Sequence, residues 1–88
     1  MKFEIGKSFQ KDFKKLSNRS LALSILAAID VVAKAERLSD VPNVKKLSGF
    51  KNAYRIRVGG YRIGFFLENN TVIFQAFGNR KDIYKSFP

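Results

Sequence analysis

YRIRVGGYRIGFFLENNTVIFQAFGN, residues 54–79, holds three runs of branched and aromatic residues separated by two dipeptides, Gly59-Gly60 and Asn69-Asn70. Both dipeptides tolerate positive φ, which two-residue hairpin turns demand, so the segment reads as a three-stranded antiparallel meander. The turns fix a register, and the register fixes which side chains share a face. With Gly59-Gly60 as the loop, Val58 opposes Tyr61, Arg57 opposes Arg62, Ile56 opposes Ile63 and Arg55 opposes Gly64. With Asn69-Asn70 as the second loop, Phe65 opposes Phe74, Ile63 opposes Ala76 and Arg62 opposes Phe77. One face then carries Tyr54, Ile56, Val58, Tyr61, Ile63, Phe65, Leu67, Val72, Phe74 and Ala76. The other carries Arg55, Arg57, Arg62, Gly64, Phe66, Ile73, Gln75 and Phe77.

Upstream, KFEI (residues 2–5) alternates as a short strand does and is a candidate fourth member of the sheet. Ser8 is placed to cap a helix in which Phe9, Phe13 and Leu16 recur on one side while Lys11, Lys14 and Lys15 face solvent. Asn18 or Ser17 can cap a second helix, with Leu21, Ile25, Ala28, Ile29 and Val32 as its apolar stripe and its end near Leu38, ahead of Pro42. The expected fold is α+β: a single domain over residues 1–88 in which an N-terminal helical hairpin covers one face of a small antiparallel sheet.

The composition narrows the function. Seventeen Lys and Arg oppose seven Asp and Glu, a formal net charge of +10 on 88 residues, which favours a polyanionic partner. Between Val41 and Leu67 there is no acidic residue, but there are Lys45, Lys46, Lys51, Arg55, Arg57 and Arg62. With neither cysteine nor histidine, the chain has no disulfide, thiolate nucleophile, His base or usual zinc site. No apolar run is long enough to span a bilayer and the N-terminus does not read as a signal peptide, so a soluble, cytoplasmic protein with no membrane partner is expected. The cations map to a sheet face, whereas a membrane-surface helix would carry them on its polar side.

Like charges directly across a ladder repel. A chain that keeps Arg57 against Arg62 is suited to meeting an anion there, and guanidinium forks match phosphate oxygens. Gly64 leaves a gap beside Arg55, and Phe66 and Phe77 offer rings on which a base can stack. Against this stands the ordinary use of arginine on the wet face of a sheet, and packing of Phe66, Ile73 and Phe77 beneath a partner peptide or a folded-back tail. Lys45 and Lys46 suit general phosphate contacts.

Taken together and in order, "SFQKDFKKL", "VKKLSG", "YRIRVGGYRIGFF" and "FGNRKDIYKSFP" resemble the RelE/ParE superfamily of toxin proteins from type II toxin–antitoxin modules, and the resemblance spans the whole chain. The RelE branch of that family cleaves mRNA in the ribosomal A site. The implied reaction is attack of a ribose 2′-OH on the adjacent phosphate, without a metal or other cofactor. Carried over by motif, the implied catalytic residues are Arg55, Arg57, Arg62, Arg80 and Tyr84. Arg57 and Arg62 clamp phosphate, Arg80 stabilises charge or donates a proton, and Tyr84 stacks on a base or orients the 2′-OH. Lys45, Lys46, Lys51, Phe66, Phe77 and Lys81 are the expected RNA contacts.

RelE enzymes of this kind often carry lysine where this chain has Arg55 and Arg57, and arginine cannot lose its proton to act as a base. Tyr84, Lys51 and Lys81 are the remaining candidates for that role. The resemblance also implies a cognate acidic antitoxin, a ribosome and mRNA as partners, and operator DNA bound only through the antitoxin complex. A ParE-like poison of DNA gyrase and a non-catalytic basic RNA-binding relative are the alternatives.

Overall fold

A computed structural model describes residues 1–88. The chain runs β1 (Lys2–Ile5), α1 (Lys7–Lys14), α2 (Arg19–Lys34), a 3-10 turn (Leu38–Asp40), β2 (Val44–Lys46), β3 (Ala53–Val58), β4 (Tyr61–Glu68), β5 (Thr71–Asn79) and α3 (Ile83–Ser86). The strands form one five-stranded sheet in the order β1-β5-β4-β3-β2.

The meander is as the turn dipeptides require. Gly59 at φ 60° and Asn69 and Asn70 at φ 49° and 60° occupy the left-handed conformations that tight hairpins need. The sheet is nevertheless larger than expected and mixed. β1 pairs in parallel with β5, Phe3 beside Val72 and Ile5 beside Phe74, because α1 and α2 intervene and return the chain across the sheet. VKK, too short to be read as a strand from its pattern, adds to the far edge as β2 and pairs antiparallel with β3.

Both helices lie on one face. Phe9 of α1 and Leu21, Ile25 and Val32 of α2 are buried against Ile56, Ile63, Phe65, Val72 and Phe74, with Val41 closing the cluster. The Phe9 ring packs against those of Phe74 and Phe77, centroids 6.0 and 5.0 Å away. Edge and tilted contacts of this kind add to the area they bury. Asn18 caps α2: its side-chain oxygen accepts from the Leu21 amide at 3.0 Å. Ser8 does not cap α1. Gly6 takes the N-cap position with no side-chain bond, its own amide donating to the Phe74 carbonyl at 2.8 Å and tying the β1–α1 junction to β5. α2 stops at Lys34, four residues before the expected Leu38, and Ala35 is already extended at ψ 146°.

The second hairpin departs from the expected register. Phe65 does oppose Phe74, but Gly64 opposes Ala76, so Gln75 is left over as a β-bulge. One extra residue turns everything beyond it to the other face. Phe77 therefore opposes Ile63 and packs against Phe9 and Phe13 on the helix side. Ala76 goes to the open side and Gly78, not Phe77, stands opposite Arg62.

Candidate nucleic-acid interface

On the face opposite α1 and α2, the pairings stack the cations in rows. Lys45 opposes Arg55, which opposes Gly64 and then Ala76. One row nearer the Gly59-Gly60 turn, Arg57 opposes Arg62, which opposes Gly78. The antiparallel ladder makes this convergence unavoidable once the turn is set, since direct partners share a face.

Backbone carbonyls hold two of the guanidiniums. Arg62 Nη1 donates to the Gly59 and Tyr61 carbonyls at 3.1 and 3.0 Å. Arg55 Nη1 donates to the Asn43 carbonyl at 3.3 Å. That same carbonyl accepts the Arg57 amide at 3.1 Å, and Asn43 reaches this position with φ 64°. Arg57 is exposed and its side chain makes no internal hydrogen bond. Arg80 follows β5 and is drawn to the same corner, its amide donating to the Gly60 carbonyl at 3.1 Å.

No carboxylate neutralises this cluster. The ion pairs of the chain are Lys34–Asp30, Arg37–Asp40 and Lys85–Asp82, all between exposed partners near in sequence. Asp82 is thus engaged by Lys85 and by the Asn79 amide, whose Nδ2 lies 2.7 Å from its Oδ2. The arginines feel one another. The Arg62 guanidinium is held below the ordinary arginine value, first by desolvation and then by Arg55, with Arg80 and Arg57 adding to the effect and Tyr84 opposing it. A cation whose folded value is depressed costs the fold stability while it stays charged, and an anion that pairs with it relieves that cost. Each guanidinium carries five N–H donors, and Arg55, Arg57 and Arg80 all bear electrostatically on Arg62, so donors in excess of the internal carbonyl acceptors remain on this side of the sheet. No group of His, Cys, Asp or Glu comes together that could hold a metal ion.

The C-terminal segment lies on the same side of the sheet as the arginines. After Asn79 the chain folds back across the open face, and Ile83 and Phe87 bury themselves with Ala53 as a second small core bordered by Leu47, Phe66 and Ala76. Tyr84 sits on this returning turn with its side chain half exposed.

Several expected contacts are placed elsewhere. Phe66 is on the open face, but the Phe87 ring lies against it, centroids 5.1 Å apart, so it offers no bare stacking surface. Phe77 is on the helix side because of the bulge. Lys46 pairs with Tyr54, whose ring stacks on Phe65 among the core residues, so it leaves from the sheet edge on the helix face and not beside Arg55. The gap expected at Gly64 is filled by Phe87. Lys51 lies in the β2–β3 loop, at the opposite end of β3 from the Arg57–Arg62 row. Lys81 is exposed in the turn after β5, its amide donating to Asn79 Oδ1 at 3.0 Å. Sequence reasoning missed two positioning groups, the Asn43 carbonyl and the Phe87 ring. The first carries no side-chain signal. The second was visible only as the option of a folded-back tail over Phe66.

Comparison with known proteins identifies the family. Residues 3–84 match the model of the ParE toxin of the type II toxin–antitoxin system parDE. Toxin RelE3 of Methanocaldococcus jannaschii is 38% identical over 89 residues, covering all of both chains. The structure resembles the RelB-RelE antitoxin–toxin complex from Methanococcus jannaschii, with TM-score 0.75, 36% identity and 96% and 98% of the two chains covered. It shares its fold with the archaeal RelE-RelB complex of Pyrococcus horikoshii OT3, with TM-score 0.71, 20% identity and 92% and 96% covered. It shares it also with the isolated E. coli RelE toxin, with TM-score 0.65, 18% identity and 96% and 90% covered. A family model over nearly the whole sequence and a full-length relative place this chain in the RelE/ParE superfamily of toxins.

Proposed function

We propose that this chain is the toxin of a RelB–RelE type toxin–antitoxin module and that it cleaves mRNA on the ribosome in the cytoplasm. The observation that carries the reading is the group of four arginines, Arg55, Arg57, Arg62 and Arg80, beside Tyr84 and without an acidic partner. Arg57 and Arg62 hold the scissile phosphate, and Lys45 extends the cationic row toward the flanking backbone. The ribose 2′-OH attacks that phosphate, the P–O5′ bond breaks, and the products are a 2′,3′-cyclic phosphate and a free 5′-OH. Charge builds on the non-bridging oxygens during attack, and Arg62 and Arg80 stabilise it. Tyr84 orients the 2′-OH or stacks on the neighbouring base. No guanidinium can take up the 2′-OH proton, so that proton passes to solvent and the departing 5′-oxygen takes one back from solvent; catalysis leans on positioning and charge stabilisation, with the ribosome fixing the mRNA.

A toxin carrying +10 charges calls for an acidic chain to silence it. The antitoxin–toxin complex of the similar Methanococcus jannaschii protein supports a cognate antitoxin here. In this reading operator DNA is bound only through the antitoxin complex. The test is a reconstituted translation reaction followed by primer extension on the message. Cuts that need both ribosomes and the protein are expected; intact mRNA at saturating protein refutes the reading. One observation favours a second reading. The matching family model is that of a ParE toxin, and arginine stands at 55 and 57 where RelE enzymes often have lysine. Accumulation of cleaved gyrase–DNA complexes alongside undamaged mRNA would favour a ParE-like gyrase poison.

A further inference from the structure

Gly64 sits in the interior of β4 and is buried, although glycine weakens a strand by its backbone freedom and lack of packing surface. The reason lies above it. A Cβ at this position would fall 2.6 Å from Cγ and 2.7 Å from Cε2 of Phe87, and closer still to Cδ2. The Phe87 ring therefore occupies the very space that any side chain at 64 would fill, directly beside Arg55 in the ladder. The ring itself is buried and also touches Phe66.

The helical turn that carries Tyr84, Ile83–Ser86, has four residues. A single turn is not stable by itself, because nucleation fixes several residues for one hydrogen bond. Its place must come from its anchors. At the near end, Asn79 Oδ1 accepts the Lys81 and Asp82 amides at 3.0 and 2.9 Å. At the far end, Ile83 and Phe87, four residues apart and so on one side of the turn, go down into the sheet. The Phe87 amide closes the turn on the Ile83 carbonyl at 2.9 Å. Tyr84 is between these anchors and points out, with no hydrogen bond of its own.

We propose that the Phe87 ring seated over Gly64 is the lock that positions Tyr84 beside the arginine corner, which makes Phe87 a positioning residue for RNA cleavage. The proposal rests on the nuclease reading for its functional half alone. The structural half, that the lock immobilises residues 80–88, stands by itself.

The experiment is a double-mutant cycle on full-length protein in the reconstituted translation assay, paired with amide hydrogen exchange by NMR. Phe87→Ala is expected to lower kcat about 10- to 100-fold with KM little changed, the order of loss that a misplaced group causes. Phe87→Leu recovers most of it. In the Phe87→Ala/Tyr84→Phe variant the two losses do not multiply, because a tyrosine already displaced has nothing left to lose. Gly64→Ala, which evicts the ring, reproduces Phe87→Ala. In exchange, the Phe87 amide is protected in the parent chain and loses protection in Phe87→Ala, while amides of β4 and β5 keep theirs. Multiplying losses overturn the proposal, since they mean that Phe87 only packs; so does a Phe87 amide that exchanges freely in the parent. If the parent cuts no mRNA, the nuclease reading falls, and the exchange data still decide whether the lock exists. If Phe87→Ala does not fold, Phe87→Leu and Gly64→Ala carry the same comparison.

Discussion

Replacing Arg57 by glutamine should make the protein more stable and less able to hold RNA. Arg57 lies directly opposite Arg62 in the β3–β4 ladder, is exposed, and has no carboxylate and no internal side-chain hydrogen bond. Its backbone amide, which donates to Asn43, is retained in the variant. Glutamine also keeps the first methylenes of the stem, so the packing loss is small. What disappears is repulsion. Like charges opposite one another in a sheet cost on the order of 0.2–1 kcal/mol. Taking about 0.5 kcal/mol, and about 4–8 °C per kcal/mol for a domain of this size, the melting temperature should rise by about 2–4 °C at low salt. Screening shortens from about 30 Å at 0.01 M to about 3 Å at 1 M, so the gain should shrink toward zero as salt is added. Thermal unfolding followed by circular dichroism at 10 mM and 1 M salt measures both. Binding moves the other way: loss of one phosphate contact should flatten the slope of log affinity against log salt for single-stranded RNA by about 0.7. An Arg57→Gln variant that is less stable at low salt, or whose gain is the same at both salts, refutes the reasoning.

Arg80→Ala should reduce cleavage about 10²- to 10³-fold, the loss typical of one transition-state charge contact, with no loss of stability, because the side chain is exposed and unpaired. Tyr84→Phe should leave the melting temperature unchanged and lower the cleavage rate, measured by single-turnover primer extension. Asn18→Ala removes the cap bond to Leu21 and should cost about 1 kcal/mol, lowering the melting temperature by about 4–8 °C while cleavage per folded molecule is preserved.

The first hairpin was legible because Gly59-Gly60 admits few geometries, and every pairing from Val58–Tyr61 to Arg55–Gly64 follows from it. The second was legible only as far as Phe65–Phe74. The bulge at Gln75 has no glycine or proline next to it on its own strand, where Gly78 stands three residues on, and it reverses the faces of Ala76 and Phe77. Period-two reading carries no information about an inserted residue, so it puts Phe77 on the arginine face, whereas the ring packs on Phe9. β2 was missed for another reason: three residues give too short an alternation to detect, and they pair only because β3 offers an edge. The arginine cluster was readable because it depends on the intact hairpin. The covering of Phe66 and Gly64 by Phe87 was not, since it joins residues far apart in sequence through a turn with no stability of its own.

A titration of isotopically labelled protein with a short single-stranded RNA, followed by NMR, asks most directly whether the arginine-bearing sheet face is the phosphate-binding surface. Shifts should gather on Lys45, Arg55, Arg57, Arg62, Arg80 and Tyr84 and be lost in Arg62→Ala. Shifts centred instead on Lys7, Lys11, Lys14 and Lys15 of the first helix and its C-terminal end would contradict the account.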